Sequence, residues 1–182
     1  MELKPQDLFV TLKVLTLGAS SWNQRDLAES LGMSLSEANG AIKRAIRAGL
    51  MIGGETRNQT PRAVPYALEE FIKHGVRYSF PIERGAITRG IPSGVVGAQL
   101  DGANLKLKEN EIPVWPSPLG KVRGIGIKPL YKSIPAVVER EENKKLYTML
   151  ALVDVIREGR LREKNLASAA ITRLLETASG ND

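Results

Sequence analysis

The side chains best spaced to act together in this sequence are Ser36, Asn39, Gly40, Lys43, Arg44 and Arg47. At 3.6 residues per turn, a helix over this stretch sets Ser36, Gly40, Lys43, Arg44 and Arg47 opposite a stripe of Leu35, Ala38, Ile42 and Ala45. Asn39 falls on the edge between the two faces. Such an outer face carries cationic and amide hydrogen-bond donors, and its chemistry is recognition of an anionic surface rich in acceptors. From Ser36 to Arg62 the cations are Lys43, Arg44, Arg47, Arg57 and Arg62, against Glu37 and Glu55. A second concentration, Lys121, Arg123, Lys128 and Lys132, lies in a stretch with no acid between Ile112 and Val138. The net charge of +6 agrees in sign with a polyanion partner. A solvated charged face is the other use of the same side chains.

Catalytic constellations are weaker. His74 is the only histidine and there is no cysteine, so no metal site is expected, and His74 reads as a helix C-terminal residue before Gly75. Gly120-Lys121-Val122-Arg123-Gly124-Ile125-Gly126 lacks P-loop spacing and a following helix. Ser79, Ser93 and Gly94 have no histidine partner for nucleophilic catalysis. Asp101, Glu109 and Glu111 lie on a stretch that reads as exposed. The expectation is a binding protein and not an enzyme, without a cofactor.

The elements that must position these residues follow from periodicity and punctuation. Hydrophobic residues make up 42% and charged residues 25% of the 182, so a packed core is expected and wholesale disorder is not. Pro5 opens a helix with Val14 and a stripe of Leu8, Leu12 and Leu15, and Gly18 ends it. A second helix runs from Gln24 to Leu31, with Leu27, Ala28 and Leu31 inward, and Gly32 stops it. Ser34-Leu35-Ser36-Glu37 is a capping box, so a third helix starts there and runs to about Ala48. Met51 to Arg62 reads as a small hairpin, and Val64 to His74 as another helix.

From Gly75 to Pro135 glycine and proline concentrate and long helices are not expected. Val76–Phe80 and Leu105–Lys108 alternate like strands. Ile112–Trp115 and Lys121–Ile127 read as two strands flanking a turn at Ser117–Gly120. Gly85 to Gly102 reads as a mobile loop. Trp115, Tyr131, Tyr78 and Phe80 suit core packing or a ligand pocket. After Pro135 helix returns: Leu146 to Ile156 is apolar on most sides and must be buried, within the chain or between subunits. Leu161 to Thr177 follows after Gly159.

Leu27-Ala28-Glu29-Ser30-Leu31-Gly32-Met33-Ser34-Leu35-Ser36-Glu37-Ala38 resembles the core of bacterial winged helix-turn-helix regulators, the MarR-like group among them. The shared pattern is an apolar–alanine pair, a leucine–glycine–apolar turn and a serine cap, leading into a helix with small or branched residues inside. Ala48-Gly49-Leu50-Met51 is similar to the exit of such a helix into the wing, although the wing here is short. The resemblance covers roughly the first third of the chain. It implies that the third helix enters the major groove of double-stranded DNA. Ser36, Asn39, Lys43 and Arg44 are then the base readers, with Gly40 allowing close approach and Arg47 further along, toward phosphate. Ser34 caps that helix. Gln24 and Arg25 sit over the backbone, and Arg57 and Arg62 lie in the wing.

The expectation is an α+β protein in three parts: a winged helix-turn-helix at 1–74, a small, mixed, β-containing middle region at 75–135, and a C-terminal helical hairpin at 136–182 that pairs subunits or packs within the chain. The expected function is a sequence-specific DNA-binding transcription regulator, a repressor acting as a homodimer. Two alternatives stay open. One is a protein-interaction adaptor or antitoxin that binds a partner protein through the middle region and C-terminal helices. The other is a nucleic-acid enzyme with a site in 75–135. No apolar run is long enough to span a bilayer, and no basic stretch precedes an apolar one at the start. With no cysteine, the expected location is the cytoplasm.

Overall fold

The computed structural model describes residues 2–54, 59–100 and 109–179. Pro5 opens α1 (Pro5–Leu17), and Gly18, at φ 58°, closes it. Every residue from Asp7 to Leu15 is buried. A single stripe of leucines implies a surface helix, but α1 is central and covered on all sides. Asn23 caps α2 (Gln24–Ser30), its side chain accepting the Asp26 amide at 2.9 Å. Gly32 turns the chain at φ 59°, a conformation that favours glycine. Ser34 then caps α3 (Leu35–Arg47). Its hydroxyl accepts the Glu37 amide at 3.2 Å, and the Glu37 carboxylate accepts the Ser34 amide at 3.0 Å, which is the expected capping box. Strands β1 (Met51–Ile52) and β2 (Arg62–Ala63) pair antiparallel. Three helices and a short hairpin make a winged-helix-like arrangement with a very short wing.

The helix expected over 64–74 does not stop at Gly75. α4 (Pro65–Glu70) passes through one π turn, Phe71–Gly75, into α5 (Val76–Ser79). The strand expected at Val76–Phe80 is therefore helical. Val76, Tyr78 and Phe80 alternate, yet Val76 and Phe80 are also one helical turn apart. Those two are buried, and Tyr78 is exposed.

The segment expected to be a mobile loop holds β3 (Arg84–Pro92) and α6 (Gly94–Gly97). The first half of β3 is exposed at nearly every position and its end is buried, so no alternation marks it in the sequence. β4 (Pro113–Pro116) and β5 (Val122–Ile127) are both antiparallel to β3 and close with it into a three-stranded barrel. They are therefore parallel to each other, with Pro113 opposite Ile125, and do not form the hairpin that two strands around a turn imply. Gly90 pairs with Pro116 on one edge of β3 and Val122 on the other. The link Ser117–Lys121 crosses β3 at that point. A Cβ on Gly120 would lie 2.2 Å from the Gly90 backbone, so only bare backbone fits the crossing. The strand expected at Leu105–Lys108 lies outside the described residues.

α7 (Ile134–Val138) leads into α8 (Lys144–Glu158) and α9 (Leu161–Ser179). In α8 every residue from Met149 to Arg157 is buried, covered by α1, α5, α6, α7 and α9 of the same chain. The Leu146–Ile156 face is thus occupied within the chain, one of the two coverings the sequence left open. One hydrophobic cluster runs from Leu8 to Leu175. The architecture is α+β: N-terminal helices and hairpin, a small central sheet and a C-terminal helical pair. Among the described residues no helix is long and apolar enough to cross a membrane.

Candidate nucleic-acid interface

Small residues hold α3 close to the body. Ala38, Ala41, Ile42 and Ala45 are buried, and α3 packs on α1 and α2. Leu35, expected on this inner stripe, is instead 46% exposed. On the other face Ser36, Lys43 and Arg47 are exposed, while Asn39 and Gly40 are half-buried. Among the described residues Ser36, Asn39, Lys43 and Arg47 make no side-chain hydrogen bond or ion pair. At the start of α2, Arg25 is exposed and Gln24 half-buried; Arg62, on β2, is exposed. Arg57 lies outside the described residues. Ser34 is engaged in the cap.

Arg44 departs from this group. Its guanidinium forks onto Asp7, with Nε to Oδ2 at 2.8 Å and Nη2 to Oδ1 at 2.6 Å. The side chains are 11% and 0% exposed. Asp7 Oδ2 also accepts the Lys4 amide at 2.8 Å. Gly40, one turn earlier, leaves the space this needs: a Cβ there would lie 3.2 Å from Arg44 Nη1. Arg44 therefore fastens α3 to α1, which corrects its expected place among the outward readers. The partner, thirty-seven residues away, left no mark in the local spacing beyond an acid in the first turn of α1.

The body meets α3 at the opposite end. The Tyr131 hydroxyl donates to Glu37 Oε1 at 2.8 Å, and the Phe9 and Tyr131 rings stack with centroids 6.2 Å apart. The Ser133 hydroxyl donates to the Leu31 carbonyl in the helix-turn-helix turn, and Arg140 Nη1 donates to the Ser30 carbonyl at 3.2 Å. The Ser34 hydroxyl and amide, then Tyr131, hold the Glu37 carboxyl down at about 2. Burial, then the Glu37 hydrogen bond, pushes the Tyr131 hydroxyl up to about 12. Lys132 lies 5.8 Å from the Tyr131 ring centroid and acts electrostatically on Glu37. That brings one cation of the second basic concentration beside the start of α3, a proximity the sequence alone does not reveal.

A second polar cluster ties the barrel to α8. Asp154 Oδ2 accepts Ser93 Oγ at 2.7 Å and Trp115 Nε1 at 2.8 Å, while Oδ1 accepts Arg157 Nη1 at 2.6 Å. Arg157 also donates to the Phe80 and Pro81 carbonyls at 2.6 and 3.1 Å. Burial raises the Asp154 pKa, and Arg157, Ser93 and Trp115 oppose that shift. Every group here faces a partner, which makes the cluster a brace for the fold. Lys13 is a third such tie, donating to Asn143 Oδ1 at 2.6 Å, with its pKa lowered by burial. Of the carboxylates weighed for acid–base work, Glu111 is exposed and Asp101 lies outside the described residues. Among the described residues no group of three or more histidines and acids could hold a metal ion. Compared with protein-family models, with curated proteins and with solved structures, the chain has no match in any of the three.

Proposed function

We propose that the protein is a MarR-like transcription regulator, a repressor that binds double-stranded DNA with α3 in the major groove. One observation carries this reading. The outward side chains Ser36, Asn39, Lys43 and Arg47 sit on a capped helix, unpaired among the described residues. Lysine and arginine suit guanine edges, asparagine suits adenine, and the free cations suit phosphates. Arg25 and Arg62 are the flanking backbone contacts. The proposed activity is binding, with no reaction assigned. Two chains reading two half-sites, in the cytoplasm, belong to the same proposal; because α8 is covered, pairing uses another surface.

The test is a salt titration of duplex binding by the wild type and by Lys43→Ala/Arg47→Ala. Loss of two phosphate or base contacts should weaken binding and lower the slope of log affinity against log salt by about 2. A folded double variant that binds duplex with wild-type affinity and slope overturns the assignment of α3.

A further inference from the structure

The barrel carries a second, separate concentration of charge. Of its cations, Arg84 pairs with Glu158, and Lys128 pairs with Glu83 at 3.2 Å. Arg89, Lys121 and Arg123 are exposed, and their side chains have no ion-pair or hydrogen-bond partner among the described residues. Arg89 on β3 stands directly opposite Arg123 on β5. Directly opposed residues of an antiparallel pair share a face, with Cα atoms about 5 Å apart. Lys121, in the link just before β5, is exposed two residues from Arg123 in the chain. The next rung on that face is Ile87 opposite Ile125, and Ile87 is 47% exposed. Like charges directly opposed destabilise a sheet. The free chain therefore carries a repulsive rung, which an anion bridging both guanidinium groups would relieve.

We propose that this outer face of β3 and β5 is a second binding surface, contacting the sugar–phosphate backbone of nucleic acid through Arg89, Lys121 and Arg123. A backbone with regularly spaced charge neutralises neighbouring cations together, and arginine forks match phosphate oxygens. Two guanidinium groups fixed on adjacent strands suit a row of phosphates, each forked by one arginine, better than carboxylates on flexible side chains, which lose rotamer freedom on pairing. The surface stands apart from α3. α3 packs on α1 and α2, whereas β3 packs on β4, β5 and α6. The inference does not rest on the reading of α3.

The experiment compares the full-length wild type, Arg89→Gln/Arg123→Gln and Lys43→Ala/Arg47→Ala on a mixed-sequence duplex, with polyglutamate as competitor. Removing the arginine pair relieves repulsion, so the thermal midpoint should stay or rise. Two lost phosphate contacts should lower the salt slope by about 2, and the wild-type advantage should shrink about tenfold between about 50 and about 200 mM salt. Loss of duplex binding in the barrel variant alone upholds this surface and removes the assignment of α3. Loss in the α3 variant alone, with the barrel variant unchanged in affinity and slope, overturns the proposal. Polyglutamate that competes at equal charge concentration, with the same dependence on Arg89 and Arg123, overturns it in favour of an acidic protein.

Discussion

Replacing Arg44 by alanine separates a fastening role from a reading role. The change leaves Asp7, fully buried, with only the Lys4 amide to compensate its charge. Breaking a buried ion pair by removing one partner costs about 3–5 kcal/mol. Arg44 keeps some contact with water and Asp7 keeps one donor, so the low end applies, about 3 kcal/mol. In a chain of this size each kcal/mol moves the thermal midpoint by about 2–4 °C, giving a fall of roughly 6–12 °C. Urea unfolding followed by circular dichroism measures it, with Arg47→Ala as the exposed control expected within about 0.5 kcal/mol of wild type. Asp7→Leu combined with Arg44→Leu should recover most of the loss, because well-packed apolar residues often replace a buried pair without penalty. An Arg44→Ala chain that unfolds like the wild type, yet binds duplex as poorly as Lys43→Ala/Arg47→Ala, would return Arg44 to the outward face.

Three further outcomes follow from the geometry. Gly32→Ala places a Cβ at φ 59° and 3.1 Å from the Ser133 Cβ; a loss of about 1–2 kcal/mol in unfolding free energy is expected from the left-handed conformation alone. Glu37 is held near 2, against 4.5 for a free glutamate. A lowered carboxyl pKa stabilises the fold above the unfolded value and stops doing so as pH falls through the folded one. Thermal midpoints measured from pH 6 downward should therefore converge for wild type and Glu37→Gln below about pH 4.5, and a constant gap to pH 2 would contradict the hydrogen bonds from Ser34 and Tyr131. Trp115→Phe removes the Nε1 donor to Asp154 and should cost about 1–3 kcal/mol, read by chemical denaturation; a neutral substitution would show that the brace is dispensable.

What the sequence discloses is local. The capping box at Ser34, the positive-φ turn at Gly32 and the ends of α3 each depend on residues within a few positions, and all three were legible. The barrel was not, because its order arises from closure. β3 shows no alternation, and the parallel relation of β4 and β5 comes from a crossing at Gly90 that short-range patterns do not encode. Val76–Phe80 failed for a different reason: over five residues, periods of two and of nearly four coincide at the buried positions. Within α3, spacing separated an inner from an outer face except at Leu35, and assigned Arg44 by its angle alone. A long side chain can swing back over a glycine toward an acid supplied by another helix. The apolar character of α8 demanded a cover, and only the packing shows that its own chain supplies it.

The burial of α1 on every side has an evolutionary consequence. It lies against α3 and β2 and also against α8, with Phe9 on Tyr131 and Lys13 on Asn143. A winged helix built this way shares its first helix with the body and cannot be exchanged between proteins as a cassette. Grafting residues 1–64 elsewhere would strip Phe9 and Lys13 of their partners and expose the apolar side of α1. Such a chain is expected to change by point substitutions along the exposed face of α3, while the frame that holds the helix is inherited whole.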